Sequence, residues 1–194
     1  MIKFPPIKQQ PLPEYLIFKT RSSPENSPFL RYSAKIFSLK DGKVKGKSIY
    51  RPFEIERKQL NDSRVKSMYV DYLYINDRKQ GYGTKLLNYI KSDSYEKGYN
   101  GRFHVWSSSV FFPNNSPHVF YRKYGMTTEN IETDALIDKF AKKNKTMTYK
   151  DLDDLFMYYP NITPKHTKPL KKEAPKISGI KNIYLFFKNL IIKN

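Results

Sequence analysis

The chain contains no cysteine. Disulfides, thiolate zinc sites and a cysteine nucleophile are therefore excluded, while the redox compartment stays open. Histidine is scarce: His104, His118 and His166 are the whole complement, and no two stand three or four residues apart. A histidine-rich metal centre is not expected, and we assign no metal ligand. Acidic residues are short as well, 18 against 36 Lys and Arg, which leaves a net charge of +18. No uninterrupted apolar run approaches the ~18 residues of a membrane-spanning helix. The opening residues, MIKFPPIKQQPLPEY, lack the hydrophobic region of a secretory signal. A cytoplasmic protein with no transmembrane segment is the expectation. No internal repeat is present.

What remains is one domain's worth of chain. The 194 residues suffice to bury a real core. With 39% hydrophobic and 15% aromatic residues, the sequence is too apolar for wholesale disorder. A surface this basic attracts polyanions: nucleic acid, anionic lipid or phosphate-bearing cofactors. The charge is uneven. From Asn161 onward, Lys165, Lys168, Lys171, Lys172, Lys176, Lys181, Lys188 and Lys193 face Glu173 alone.

The four prolines among residues 1–14 predict an extended start. Tyr15–Thr20 reads as a strand and Ser22–Pro28 as a loop. Arg31–Leu39 and Lys47–Ile55 alternate around Asp41-Gly42, which proposes an antiparallel hairpin. Ser67–Ile75 reads as a central strand, with Met68, Val70, Tyr72 and Tyr74 on one face and Tyr69, Asp71, Leu73 and Ile75 on the other. A helix follows from about Thr84 to Lys97, with Leu86, Leu87 and Ile90 inward and Gly98 as its stop. Gly101–Ser107 is another strand. Ser116-Pro117 opens a short helix, serine as cap and proline in the first turn, which Gly125 ends. Asn130–Lys145 looks helical, with Ile131, Ala135, Leu136, Ile137 and Phe140 as its apolar side. Leu152–Tyr159 is a short strand or helix. Ile162–Ser178 reads as a linker. In Ile180–Lys193 the apolar residues Ile180, Ile183, Tyr184, Phe187, Leu190 and Ile191 recur at helical spacing opposite Lys181 and Lys188.

The informative segment is Arg78-Lys79-Gln80-Gly81-Tyr82-Gly83-Thr84, between the central strand and the helix. Glycine lets the backbone approach a ligand closely. A helix start offers unpaired amides and the positive end of the dipole. Arg78 and Lys79 add charge, so the segment suits a pyrophosphate. It is neither a Walker loop nor the dinucleotide fingerprint.

These residues resemble the GNAT family of N-acetyltransferases. The family signature, Gln/Arg-x-x-Gly-x-Gly/Ala, opens a helix after a central strand, and Arg78, Gly81 and Gly83 match it. A second family pattern, Asn-x-x-Ala-x-x-Leu-Tyr-x-x-x-Gly-Phe, is met by Asn114, Tyr121 and Gly125, with Pro117, Phe120 and Met126 as substitutions. The resemblance covers residues 67–126. Thr20 to Arg31 leaves no room for the two helices that the family places between its first two strands. The helical stretch 130–145 stands where the family's last strand pair would begin.

The resemblance implies an α/β (α+β) fold with a mixed, mostly antiparallel central sheet and helices on both faces. It frames residues 1–160 as an acyltransferase domain, followed by a basic linker and amphipathic helix over 161–194. It implies transfer of an acetyl group from acetyl-CoA to a primary amine in a ternary complex. The cofactor contacts carried over are Arg78, Lys79, Gly81, Tyr82, Gly83, Thr84 and Asn114. Tyr121 is the candidate general acid. Asp71 is the candidate base, with His104 or water as alternatives. The acceptor stays open among a small molecule, a protein amine and aminoacyl-tRNA, the last favoured by the Lys-rich tail as an RNA contact. A different reading is a non-catalytic binding module whose basic surface holds nucleic acid or an anionic membrane.

Overall fold

Asp41 and Gly42 form the turn that the sequence assigns to them. In the computed structural model, which describes residues 13–24, 30–56, 64–110 and 114–159, Gly42 has φ 66°. The Gly42 amide donates to the Ser38 carbonyl (2.9 Å), and the Lys43 amide donates to Asp41 Oδ1 (3.1 Å). The turn joins β2 (Tyr32–Ser38) to β3 (Val44–Glu56) as an antiparallel hairpin, with Tyr32 opposite Tyr50. β1 (Tyr15–Arg21) lies antiparallel on the outer side of β2. β4 (Arg64–Ile75) lies antiparallel to β3. α1 (Tyr82–Glu96) then crosses to β5 (Phe103–Ser107), which runs parallel to β4. Two helices, α2 (His118–Tyr124) and α3 (Ile131–Lys142), precede β6 (Leu155–Tyr159), antiparallel to β5. The fold is α+β, with one six-stranded, mostly antiparallel sheet in the order β1 to β6. The extended start and the segments 162–178 and 180–193 lie outside the described residues.

The core forms where α1 lies on the sheet. Leu86, Leu87 and Ile90 are fully buried with Ala34, Ile36, Met68, Val70, Phe103 and Val105. The alternation expected along β4 holds only as far as Val70. Tyr50 stands opposite Val70, but Ile49 stands opposite Tyr72. Asp71 is therefore an extra residue, a β-bulge. Past it the faces exchange: Leu73 and Ile75 pack on the core and Tyr74 is exposed.

One expectation is refined and another corrected. Pro117 stands at the cap position of α2 but is itself helical (φ −73°), and Ser116 Oγ accepts the His118 amide at a long 3.5 Å. Ser116 is drawn into a bridge with Met147, donating its amide to the Met147 carbonyl at 2.8 Å. In α3, Asn130 caps as a side-chain acceptor for the Thr133 amide (2.9 Å), but Ile131 is 41% exposed and Ala135 also faces solvent. Leu136, Ile137 and Phe140 pack on the core as expected, and Asp134 is buried with them. Asp134 accepts the Thr128 amide (2.8 Å) and stands 3.7 Å from Arg122 Nη1. A polar anchor thus joins the apolar side in fixing this helix.

Candidate active site

The turn between β4 and α1 is braced before it reaches the helix. Asn76 donates its amide to the Lys45 carbonyl (2.9 Å) and Nδ2 to the Val44 carbonyl (2.7 Å). Lys45 Nζ bonds both Asp77 Oδ2 and Asp41 Oδ2 at 2.7 Å. The hydrogen bond from Lys45 holds the Asp41 carboxyl down at about 2, and the two aspartates together raise the Lys45 ammonium. Lys79 (φ 63°) and Gly81 (φ 75°) then turn the chain in the left-handed region. The Gly81 carbonyl accepts the first helical bond, from the Lys85 amide (3.0 Å).

The amides of Tyr82, Gly83 and Thr84 consequently open α1 with no intrahelical acceptor. No side chain caps them, and no acidic residue lies in the first turn. A methyl placed on Gly81 would meet nothing within 4 Å among the described residues. Gly83 matters for a different reason: a Cβ there would stand 3.0 Å from Phe120 Cζ, a tight contact. This glycine lets α2 pack onto α1. Arg78, Lys79 and Thr84 are exposed, while Tyr82 is half-buried with Lys85 Nζ 5.3 Å from its ring.

Beside this turn the sheet opens. β4 and β5 pair only from Met68–Phe103 to Val70–Val105. β4 continues to Ile75 through the bulge at Asp71, and β5 continues to Ser107, with no register partners between them. The edge of β4 beyond Val70 therefore presents main-chain groups that β5 does not take up.

Tyr121 follows Phe120, the residue that touches Gly83, so the second motif is brought to the first. It is only 8% exposed, and burial alone pushes its hydroxyl well above the ordinary tyrosine value. The phenol stays protonated at neutral pH, as a proton donor must. Asp71 sits on the bulge. Arg51 Nε donates to its Oδ1 (3.1 Å), and Arg31 Nε lies 3.8 Å from Oδ2, an oxygen buried without a hydrogen-bond partner. Burial raises the Asp71 carboxyl, and the two arginines pull it only part of the way back. His104 is packed instead, its Nδ1 on Ser67 Oγ (3.1 Å) and its ring stacked on Tyr69 at 4.9 Å. Asn114 stands exposed on the approach to α2 and takes no part in the hydrogen bonds of the turn.

Sequence reasoning missed a neighbouring cavity of ≈ 440 Å³ that Thr84 lines with Asn88, Lys91, Lys123, Tyr124 and Tyr159 among others. Lys91 Nζ bonds Tyr159 Oη (2.7 Å), and Tyr124 Oη donates to Asn88 Oδ1 (2.7 Å). Burial, with Tyr159 beside it, pushes the Tyr124 hydroxyl up to about 12. The available signal was the polar spacing of Thr84, Asn88 and Lys91 along one face of α1. The contribution of Lys123 from α2 depends on helix packing that the sequence does not display. Among the described residues no group of three or more His, Asp and Glu is placed to hold a metal, and no helix is long and apolar enough to cross a membrane.

No family model matches the sequence, and no curated protein matches it. Solved structures do. A tyrosine-to-phenylalanine mutant of the AtaT toxin bound to the C-terminus of the antitoxin AtaR has a TM-score of 0.42 and 15% identity, over 67% of this chain and 66% of that one. The KacTA–DNA complex has a TM-score of 0.43 and 13% identity, over 84% and 76%. A tyrosine-to-phenylalanine mutant of KacT has a TM-score of 0.40 and 14% identity, over 68% and 71%. The match thus spans just under two thirds of the AtaT chain. At these identities and scores the likenesses assign no role to any residue of this chain.

Proposed function

We propose that this protein is an N-acyltransferase that moves an acetyl group from acetyl-CoA to an amine. One observation supports the reading: three uncapped amides open α1 after a strand whose edge β5 leaves unpaired beyond Val70. The residues fit such a donor. The amides of residues 82–84, with Arg78 and Lys79, suit a diphosphate. The cavity holding Lys91 and Lys123 suits further phosphate on the nucleotide end. The β4 edge beyond Val70 suits an extended amide-bearing arm, held as an added strand would be.

Acetyl-CoA supplies an activated thioester; the chain supplies placement and protons. A main-chain N–H on the free stretch of β4 would polarise the thioester carbonyl. Tyr121 Oη holds the proton that the departing thiolate needs. Asp71, with one oxygen unpartnered and its carboxyl raised, is the base to which the acceptor amine gives its proton. The acceptor is a small-molecule amine, a protein amine or an aminoacyl-tRNA. The +18 charge favours one that carries phosphates.

The test is thiol release from acetyl-CoA across an amine panel, with mass spectrometry of the purified protein for retained coenzyme A. Retained coenzyme A, and turnover that Tyr121→Phe abolishes without loss of binding, are expected. A protein that ignores acetyl-CoA overturns the reading. Tight binding without turnover of any amine would leave a binding module in its place.

A further inference from the structure

We infer that His118 is a positioning residue that, through Ser107, sets the placement of Tyr121 relative to the end of β5; this rests on the acyl-transfer reading for its catalytic consequence. His118 and Ser107 are both fully buried, the first residue of α2 and the last of β5. The imidazole is bonded on both sides: Nδ1 to Ser107 Oγ, and Nε2 to the Asp153 carbonyl at 3.2 Å. A carbonyl only accepts, so Nε2 carries the hydrogen. Burial keeps the ring neutral, so Nδ1 is an acceptor and the Ser107 hydroxyl donates to it.

This ring ties the start of α2 to β5 and to the chain at Asp153. The two buried residues of α2 are His118 and Tyr121, one turn apart on the same face. The far end of α2 is fixed separately. Arg122 grips Asp138 through Nε (2.7 Å) and Nη2 (2.8 Å) and donates to the Met126 carbonyl (3.2 Å). The corner that offers the Asp153 carbonyl is fixed independently too, because Asp154 accepts from Ser108 Oγ (2.8 Å) and from the Ser109 amide (2.7 Å). Loss of the imidazole therefore leaves the corner and the Arg122 end in place and loosens only the start of α2. Tyr121 is the other buried residue of this short helix, on the same face as His118, and the reference it loses is the end of β5.

Two substitutions separate the two bonds. Asn at 118 presents an oxygen near the Nδ1 position and keeps the Ser107 bond. Gln reaches the Nε2 position and keeps only the Asp153 bond. In the full-length protein, His118→Asn is expected to hold kcat within about threefold, whereas His118→Gln and Ser107→Ala lower it about 10- to 100-fold, with KM for acetyl-CoA unchanged. Labelling tyrosine Cζ with carbon-13, with the signal assigned through Tyr121→Phe, gives a readout that needs no turnover. The Tyr121 resonance is expected to move in His118→Gln and Ser107→Ala and to stay in His118→Asn. An unmoved Tyr121 signal and unchanged kcat in Ser107→Ala would overturn the inference. So would a parallel loss of acetyl-CoA binding and turnover in all three variants, the mark of a purely structural role. Wild-type protein that releases no thiol would refute the acyl-transfer reading instead, and the resonance would still decide whether Ser107 and His118 set the tyrosine.

Discussion

In the proposed reaction Tyr121 and Asp71 would divide the proton work between a group held protonated and a group pushed toward protonation. For Tyr121, burial raises the phenol, so the donor form persists throughout the neutral range. Tyr121→Phe should lower kcat about 10²–10⁴-fold while calorimetric affinity for coenzyme A changes little. Asp71 has the opposite requirement, since it works only when ionised. Its carboxyl is raised by burial against Arg51 and Arg31. Activity should therefore climb with pH through a value above the usual carboxylate range, and Asp71→Asn should remove that acid limb from the kcat/KM profile. A profile in Asp71→Asn that keeps the same limb would assign the titration elsewhere. Gly81→Ala is the residue-scale test of the turn. Its Cβ meets no neighbour, so the cost is the left-handed backbone alone, about 1 kcal/mol in denaturant unfolding.

At the scale of elements, the junction of β1 and α1 carries the clearest pH-linked stability. Asp93 is buried, with Lys19 Nζ and Lys97 Nζ both on its Oδ1, the latter at 2.7 Å. Burial pushes its carboxyl up, but the two lysines together hold it below the ordinary value. A depressed carboxyl stabilises the fold above the unfolded value of about 4, and that contribution is lost as pH falls through the lower folded value. Asp93→Asn should destabilise the protein at pH 7, and the gap from wild type should narrow in melts as pH falls below about 4.

The elements also show what the sequence could and could not convey. The hairpin around Asp41-Gly42, the inward stripe of α1 and the left-handed stops at Gly98 and Gly125 follow from local rules, and they stand where the residues put them. The exchange of faces at Asp71 does not follow, because a bulge is a property of two strands and β4 alone alternates without interruption. The exposure of Ile131 has the same origin: Asp134 is turned inward by Thr128 and Arg122, partners that no periodicity within α3 reveals. For the site, the glycine turn and Tyr121 were legible as spaced motifs. Lys123 in the cavity and the Ser107–His118–Asp153 chain were not, because their members come from separate elements.

For the whole molecule, the charge of +18 is a standing repulsion that folding concentrates. Salt should screen it. The melting temperature is expected to rise between low and physiological ionic strength, before any ligand is added. Any affinity for a polyanion should fall over the same range, and one that does not would have to rest on contacts other than phosphate.

The brace around Lys45 has a consequence for how a diphosphate would be met. Two carboxylates lie close to the turn, Asp77 within it and Asp41 on the adjoining hairpin, and a bare pair would repel an arriving anion. The ammonium between them blunts that repulsion, and Asn76 fastens the same stretch to β3. The loop is thus arranged when the chain folds, not when a guest arrives. Association should then be quick, with affinity set mainly by how fast the guest leaves, whereas Lys45→Met would turn capture into a slower event that waits for the loop to settle.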